Sequence, residues 1–278
     1  MFIADAQVHI WAASTPERPW RAGQHPHREK PLGADELLRE MDGVGVRRAV
    51  LIPPYWDGPR NDVVLEAARL HPDRFAVMGR LDNEPPPTRD QIPTWRRQPG
   101  MLGLRCSFSR PQATAALAEG IDWLWEEAEM AGVPIMVLVP HTMAHLIDRV
   151  AGQYPGLKLV MSHLGLTSGK RDEEAFRDLD KLLAIAKRSN VAVKASALPA
   201  YTSDSYPYRA LHPYLRRVYD AFGPRRIFWG TDLARLPCSY RQAVTMFTEE
   251  IPWLTTEDKE WIMGRGLCEW LGWELPRA

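Results

Sequence analysis

The chain has 278 residues, and its 35 Lys and Arg are matched by 35 Asp and Glu, so its formal net charge is zero. Balanced charge gives no long-range field to gather nucleic acid or an anionic membrane surface, and the longest apolar run is far too short to span a bilayer. No basic segment followed by an apolar one opens the chain, and Cys106, Cys238 and Cys268 are odd in number and widely spaced, a pattern that fits reduced thiols in a cytoplasmic protein.

Eight short apolar segments recur along the chain. They are FIADAQV (2–8), RAVLIPP (48–54), FAVMGRL (75–81), MLGLRCS (101–107), PIMVLVP (134–140), LKLVMSH (157–163), VAVKASA (191–197) and RIFWGTD (226–232). Near-continuous apolar runs of strand length are expected of parallel strands covered on both faces.

Helical periodicity fills most of the intervals. GADELLREMDGVGV (33–46) puts Leu37, Leu38 and Met41 on one face and ends in glycines. NDVVLEAARLHPDR (61–74) should stop before Pro72. The stretch 113–132 reads as a long helix closed by Gly132, and 143–156 and 173–189 are amphipathic. Helices over 207–224, 240–250 and 257–273 complete the set, while the Pro-rich interval 82–100 gives the weakest helical signal. Eight alternations in a chain of this length predict a (β/α)₈ TIM barrel, one domain spanning residues 1–278. A doubly wound open sheet would carry a Gly-rich first turn, and ADAQVHIWA has no glycine.

In a TIM barrel, chemistry gathers at the C-terminal ends of the strands. In chain order these ends carry Gln7 and His9, Tyr55 and Trp56, Arg80, Arg105, His141, His163, Lys194 with Ser196, and Asp232. Gln7 and His9 are two residues apart, so both can point into the mouth. His163 ends an apolar strand directly before a glycine turn. His141 follows a proline and can equally be read as a loop or capping residue. The loops on the same side are long and aromatic, and Trp11, Trp20, Tyr55, Trp56, Tyr201 and Tyr206 are candidates to line a pocket for a flat ring. The other histidines, His25, His27, His71, His145 and His212, read as loop, helix or surface residues.

With DAQVHIW at the start, PGLKLVMSHLG at the sixth segment, NVAVKASAL at the seventh and FGPRRIFWGTDLARLP at the eighth, the chain resembles the amidohydrolase superfamily. The likeness is to its lactonase-like amidohydrolase-2 branch, which includes 2-pyrone-4,6-dicarboxylate lactonase, and it runs essentially the full length. That resemblance implies His-x-His on the first strand, a His on the sixth, sometimes one on the fifth, and an Asp on the eighth. Here those places hold Gln7 with His9, His163, His141 and Asp232. Gln7 exchanges a nitrogen donor for a neutral amide, so no metal is expected; at most one weakly held Zn or Mn ion would sit at His9, His163 and Asp232.

The expected reaction is opening of a lactone or related cyclic ester by water. Asp232 is the general base, His9 and His163, with His141, polarise the carbonyl, and Gln7 holds the carbonyl or the water. Arg105 and Arg80 would bind a carboxylate, with Tyr55, Trp56, Trp11 and Lys194 also facing the substrate. The expected partner is a small carboxylated or aromatic-derived lactone, and a homo-oligomer is compatible with this reading. The alternative is a metal-dependent decarboxylase or C–C/C–N hydrolase of a carboxylated ring. A non-catalytic binding protein is disfavoured by the three polar residues in one mouth.

Overall fold

Apolar runs with helices on one side and a filled barrel on the other have no solvent-facing edge to alternate with, so they pair in parallel. The computed structural model describes residues 1–81, 88–108 and 120–276. Its strands are β1 (Ala4–Val8), β2 (Arg48–Leu51), β3 (Phe75–Gly79), β4 (Met101–Ser107), β5 (Ile135–Leu138), β6 (Leu159–Met161), β7 (Val191–Ser196) and β8 (Ile227–Gly230). All eight fall within the predicted segments. Each pairs in parallel with the next in chain order, giving the (β/α)₈ barrel.

The helices around it are α1 (Ala34–Asp42), α2 (Asp62–Leu70), α3 (Asp122–Met130), α4 (Ala144–Gln153), α5 (Asp172–Phe176), α6 (Leu179–Leu183), α7 (His212–Phe222), α8 (Tyr240–Thr248), α9 (Thr256–Glu260) and α10 (Gly266–Leu271). Helix α2 stops at Leu70, ahead of Pro72, as expected. Of the helix expected over 113–132, the part at 113–119 lies outside the described residues, as do 82–87 of the Pro-rich interval. The remainder of that interval forms two 3₁₀ turns, Arg89–Gln91 and Trp95–Arg97.

Two predicted helices are broken. The stretch 173–189 is α5, α6 and a 3₁₀ turn, Ala184–Lys187. The break at Arg177–Asp178 lets Phe176 stack on Tyr214 of α7, ring centroids 4.0 Å apart, while Leu179 and Leu182 still reach the core. The stretch 257–273 is interrupted at Trp261–Arg265, where a Cβ on Gly264 would come within 2.9 Å of the Ala4 backbone nitrogen. Only a glycine lets the chain pass that close to β1.

Ala4, Ala6, Val50, Ile52, Ala76, Met78, Leu102, Met136, Val160, Ala192 and Phe228 fill the barrel, and Leu267, Cys268 and Leu271 of α10 pack beneath them. Beside α10, Arg48 reaches across the same end, donating to the Glu274 carbonyl and lying 4.5 Å over the Trp273 ring.

A β-bulge interrupts β1: from Asp5 to Val8 it advances three residues against two of β2. The Asp5 carboxylate fixes it by accepting the Gln7 N–H at 3.0 Å. The same carboxylate crosses the β8–β1 seam to accept the Thr231 N–H (2.9 Å), the Thr231 hydroxyl and the Tyr240 hydroxyl (3.0 Å). The Asp232 N–H donates to the Gln7 carbonyl at 2.8 Å. The seam is therefore closed largely by one buried side chain. Burial pushes the Asp5 carboxyl up to about 6 even though four hydrogen bonds pull it down.

Candidate active site

The bulge decides which β1 side chains enter the mouth. Ala4 and Ala6 pack inside the barrel and Val8 outside, while the extra residue brings Gln7 inward as well, where it meets His9 and Lys194. Bulges beside active sites commonly re-aim a side chain in this way.

At the ends of β6, β7 and β8 the chain turns through left-handed conformations: His163 (φ 53°), Leu164 (φ 52°), Ala197 (φ 56°) and Asp232 (φ 52°). Such non-glycine residues cost about 1 kcal/mol each and persist where surrounding structure imposes them. The next residue, Gly165, is also left-handed, and a Cβ there would lie 2.8 Å from the His141 nitrogen. Strain at these turns points His163 and Asp232 across the mouth at each other.

Asp232 is 1 % exposed and sits between the two imidazoles. His9 Nε2 lies 3.3 Å from Oδ1 and His163 Nε2 lies 3.9 Å from Oδ2, with Arg235 Nη1 3.5 Å from Oδ2. His9 Nδ1 is 2.6 Å from the Ile52 carbonyl, so it must carry the ring proton, and Nε2 accepts from the Gln7 amide nitrogen at 3.2 Å, with Asp232 Oδ1 beside it. His163 Nδ1 is 2.8 Å from the Ser196 hydroxyl. With Ser196 donating there, the His163 proton sits on Nε2 and faces the mouth.

Burial lowers His9 to about 4 and His163 to about 3 against the opposing pull of Asp232, so both rings are neutral at pH 7. For Asp232 burial acts upward, but His9, His163, Arg235 and His27 outweigh it and hold the carboxyl below its ordinary range. Asp232 Oδ1 accepts no hydrogen bond from any described residue.

Arg105 is buried and forms no ion pair among the described residues; Nη1 donates to the Cys106 carbonyl at 3.0 Å, and Nε has no acceptor. Burial, and then the neighbouring Arg80, lowers it to about 9. Asn61, at the start of α2, holds the end of β3 by exchanging hydrogen bonds with the Arg80 backbone at 2.8 and 2.9 Å. The Arg80 guanidinium lies 5.2 Å over the Tyr55 ring. Trp56 turns an edge to His9, centroids 5.9 Å apart, and Trp11 packs behind it at 5.2 Å.

Three sequence-predicted residues lie elsewhere than expected. Lys194, expected at the substrate, is 0 % exposed; its ammonium lies below Gln7, donating to Gln7 Oε1 and within 3.4 Å of Met136 Sδ and 3.5 Å of the Ala6 carbonyl. His141 is buried under the Gly165 turn, and the charged groups acting on it are Asp178, Lys181 and Lys170. Trp11 is buried behind Trp56 and reaches no open space. Of the other aromatic candidates, Tyr206 bonds outward to Thr245 of α8, and the Trp20 indole donates to the Ala12 carbonyl.

Sequence reasoning missed His27, whose ring lies 4.6 Å from Trp56 and 6.3 Å from His9. It stands in a long loop where periodicity gives no signal. The loop is secured by Arg18, which clasps Asp57 and Asp62, and by a backbone bond from Arg21 to Trp56 at 2.8 Å. Arg235, also missed, stands three residues after Asp232 and was findable from spacing.

A divalent ion fits this donor set poorly. The two imidazoles address different oxygens of Asp232. The Gln7 oxygen is taken by Lys194, and its NH₂, which has no lone pair to give, covers the one on His9. Among the described residues, no group of three or more His, Cys, Asp or Glu is arranged to hold a metal.

The arrangement can activate water at a carboxylate, donate a hydrogen bond to a developing oxyanion, and bind an anion. The chain is 24 % identical over 244 residues to L-fucono-1,5-lactonase of Burkholderia ambifaria, covering 83 % of this chain and 80 % of that protein. Among solved structures, an amidohydrolase from Burkholderia multivorans with bound zinc superposes with a TM-score of 0.82 at 18 % identity, over 99 % of this chain and 100 % of that one. An Acinetobacter baumannii protein designated "probable 2-pyrone-4,6-dicarboxylic acid hydrolase", with citric acid bound, gives 0.76 at 16 % over 98 % and 100 %. The manganese-bound 5-carboxyvanillate decarboxylase of Novosphingobium aromaticivorans gives 0.71 at 14 % over 98 % and 97 %. The family model Amidohydro_2, described as amidohydrolase, matches residues 4–265, nearly the whole sequence. The chain is an enzyme of hydrolase type and belongs to the amidohydrolase family.

Proposed function

We propose that residues 1–278 form one catalytic domain that hydrolyses a carboxylated lactone without a metal. The supporting observation is the meeting of Asp232, His9 and His163 beside a buried Arg105 that has no ion-pair partner among the described residues. Asp232 Oδ1 is buried and accepts no hydrogen bond from any described residue, so a water in the mouth can donate a proton to it. Its oxygen then attacks the lactone carbonyl while Asp232 takes a proton.

His163 Nε2–H donates to the oxyanion that forms; a donor of this kind contributes roughly 3 kcal/mol to the transition state. His9, with its proton held at Ile52 and its Nε2 facing the Gln7 amide, does not donate to the carbonyl and lines the mouth beside Asp232, a change from the role expected of it. Collapse of the tetrahedral adduct breaks the ring C–O bond, the alkoxide recovers the proton from Asp232, and a hydroxy acid leaves. Arg105, with Arg80 beside it, takes the substrate carboxylate. Trp56 and Tyr55 offer ring faces and edges to a flat substrate.

That a structural neighbour carries bound citric acid supports an anionic ligand, and the lactonase relative supports the ester. The test is a panel of matched lactones with and without a carboxylate, assayed by ring opening with metal content measured in the same samples. Preference for the carboxylated lactones, with turnover undiminished by chelator, is expected. Release of carbon dioxide with dependence on added manganese would instead favour the decarboxylase reading that the manganese-bound neighbour suggests.

A further inference from the structure

We propose that Lys194 is a positioning residue: by holding Gln7 Oε1 it turns the Gln7 amide so that its NH₂ occupies His9 Nε2, and the pair keeps divalent metal out. The proposal deepens the metal-free reading above and rests on it only for the location of the site.

Lys194 and Ser196 are alternate residues of β7 and face inward together, one reaching Gln7 and the other His163. The Lys194 ammonium is fully buried, with three acceptors to match its three N–H bonds: Gln7 Oε1, the Ala6 carbonyl and Met136 Sδ. No carboxylate forms an ion pair with it among the described residues; burial, and then Arg105, pulls the Lys194 ammonium well below the ordinary lysine value, against Asp232 and Asp5 acting from a distance. A buried lysine without a contact anion is costly to keep, so one retained here has work to do.

Its surroundings identify that work. Nζ donates to the Gln7 oxygen and has only acceptors around it, so the Gln7 oxygen faces it and the amide nitrogen is left 3.2 Å from His9. A second effect adds to the first. A dication placed among His9, His163 and Asp232 would be repelled by Arg105 and Arg235, with the carboxylate of Asp232 to offset them.

The consequence is that restoring a histidine at position 7 is not enough to restore a metal site. We would compare the wild-type protein, Gln7→His, Lys194→Met and the double variant after equilibration with zinc and gel filtration. Metal is read by atomic spectrometry, affinity by competition with a chromophoric chelator, and the His9 tautomer by ¹⁵N NMR. Wild type and Gln7→His should retain much less than one equivalent. The double variant should hold one equivalent and bind zinc at least 100-fold more tightly than Gln7→His alone.

In Lys194→Met the hydrogen bond from Gln7 to His9 should loosen, shifting the His9 Nε2 resonance. Stoichiometric zinc on wild type or on Gln7→His overturns the proposal, and that comparison stands even if neither Lys194 variant folds. A folded double variant that binds no better than Gln7→His overturns it too. Metal stoichiometry does not depend on the substrate, so an error over the lactone leaves this test intact.

Discussion

Replacing Asp5 tests how the barrel is closed. In Asp5→Ala the Gln7 and Thr231 N–H groups and the Thr231 and Tyr240 hydroxyls all lose their acceptor. Orphaned buried donors cost about 1–3 kcal/mol each, and removing a buried charge returns part of that. A net loss on the order of 4 kcal/mol is expected. Asp5→Asn keeps an oxygen for the two N–H groups and offers an NH₂ to two hydroxyls that can rotate to accept, so at pH 7 it should stay within about 2 kcal/mol of the parent.

The pH dependence separates charge from geometry. The folded carboxyl titrates at about 6 against 3.8 for the free group, so the folded protein binds the extra proton between these values and stability falls as pH rises through the window. About 2 pH units at about 1.4 kcal/mol each give roughly 3 kcal/mol. The stability of Asp5→Asn relative to the parent should therefore rise by about that amount from pH 4 to pH 7. Urea unfolding at a series of pH values measures it. A constant difference across the series, or a loss below about 1 kcal/mol in Asp5→Ala, would refute the reasoning.

Asp232→Asn should cut turnover by about 10²–10⁴-fold with KM changed only severalfold; an undiminished rate would remove Asp232 as the base. Arg105→Met should raise KM for a carboxylated lactone by about 10–100-fold and leave a neutral one nearly unchanged, as loss of a charge-assisted contact worth roughly 1.5–3 kcal/mol requires; equal losses on both substrates would speak against carboxylate binding. With His9 at about 4 and His163 at about 3 in the folded protein, activity should stay level from pH 7 to pH 5 and fall only below. A midpoint near 6.5 in the rate profile would contradict the buried neutral rings. Because both folded values lie below the unfolded 6.5, the unfolded chain takes up protons first. Their contribution to stability is complete above pH 6.5 and is lost as pH falls toward 4.

The strands were legible because burial on both faces leaves an unbroken apolar run, and their ends then located His9, Arg105, His163 and Asp232 together. Three features left no such trace. The bulge in β1 has no composition of its own, so the inward turn of Gln7 came from strand alternation that the structure reaches by another route. Lys194 obeys the inward period, yet periodicity cannot tell the layer just under the mouth from the mouth itself. His27 depends on how a long loop is tied down by Arg18, Asp57 and Asp62, contacts between residues about 40 apart. The breaks at Arg177–Asp178 and at Gly264 are tertiary as well, each set by what the segment packs against.

The two closures at the barrel, Asp5 to Thr231 and Arg48 to the Glu274 carbonyl, each join residues 226 apart in sequence. During synthesis at about 5–20 residues per second, β1 and β2 must wait on the order of 10–50 seconds for these partners to be made. Throughout that interval β1 has one strand neighbour and an open flank, and the Asp5 carboxylate stays hydrated and ionised. A charge on the waiting edge discourages pairing with other nascent chains, so the residue that later seals the barrel also guards it while it is incomplete.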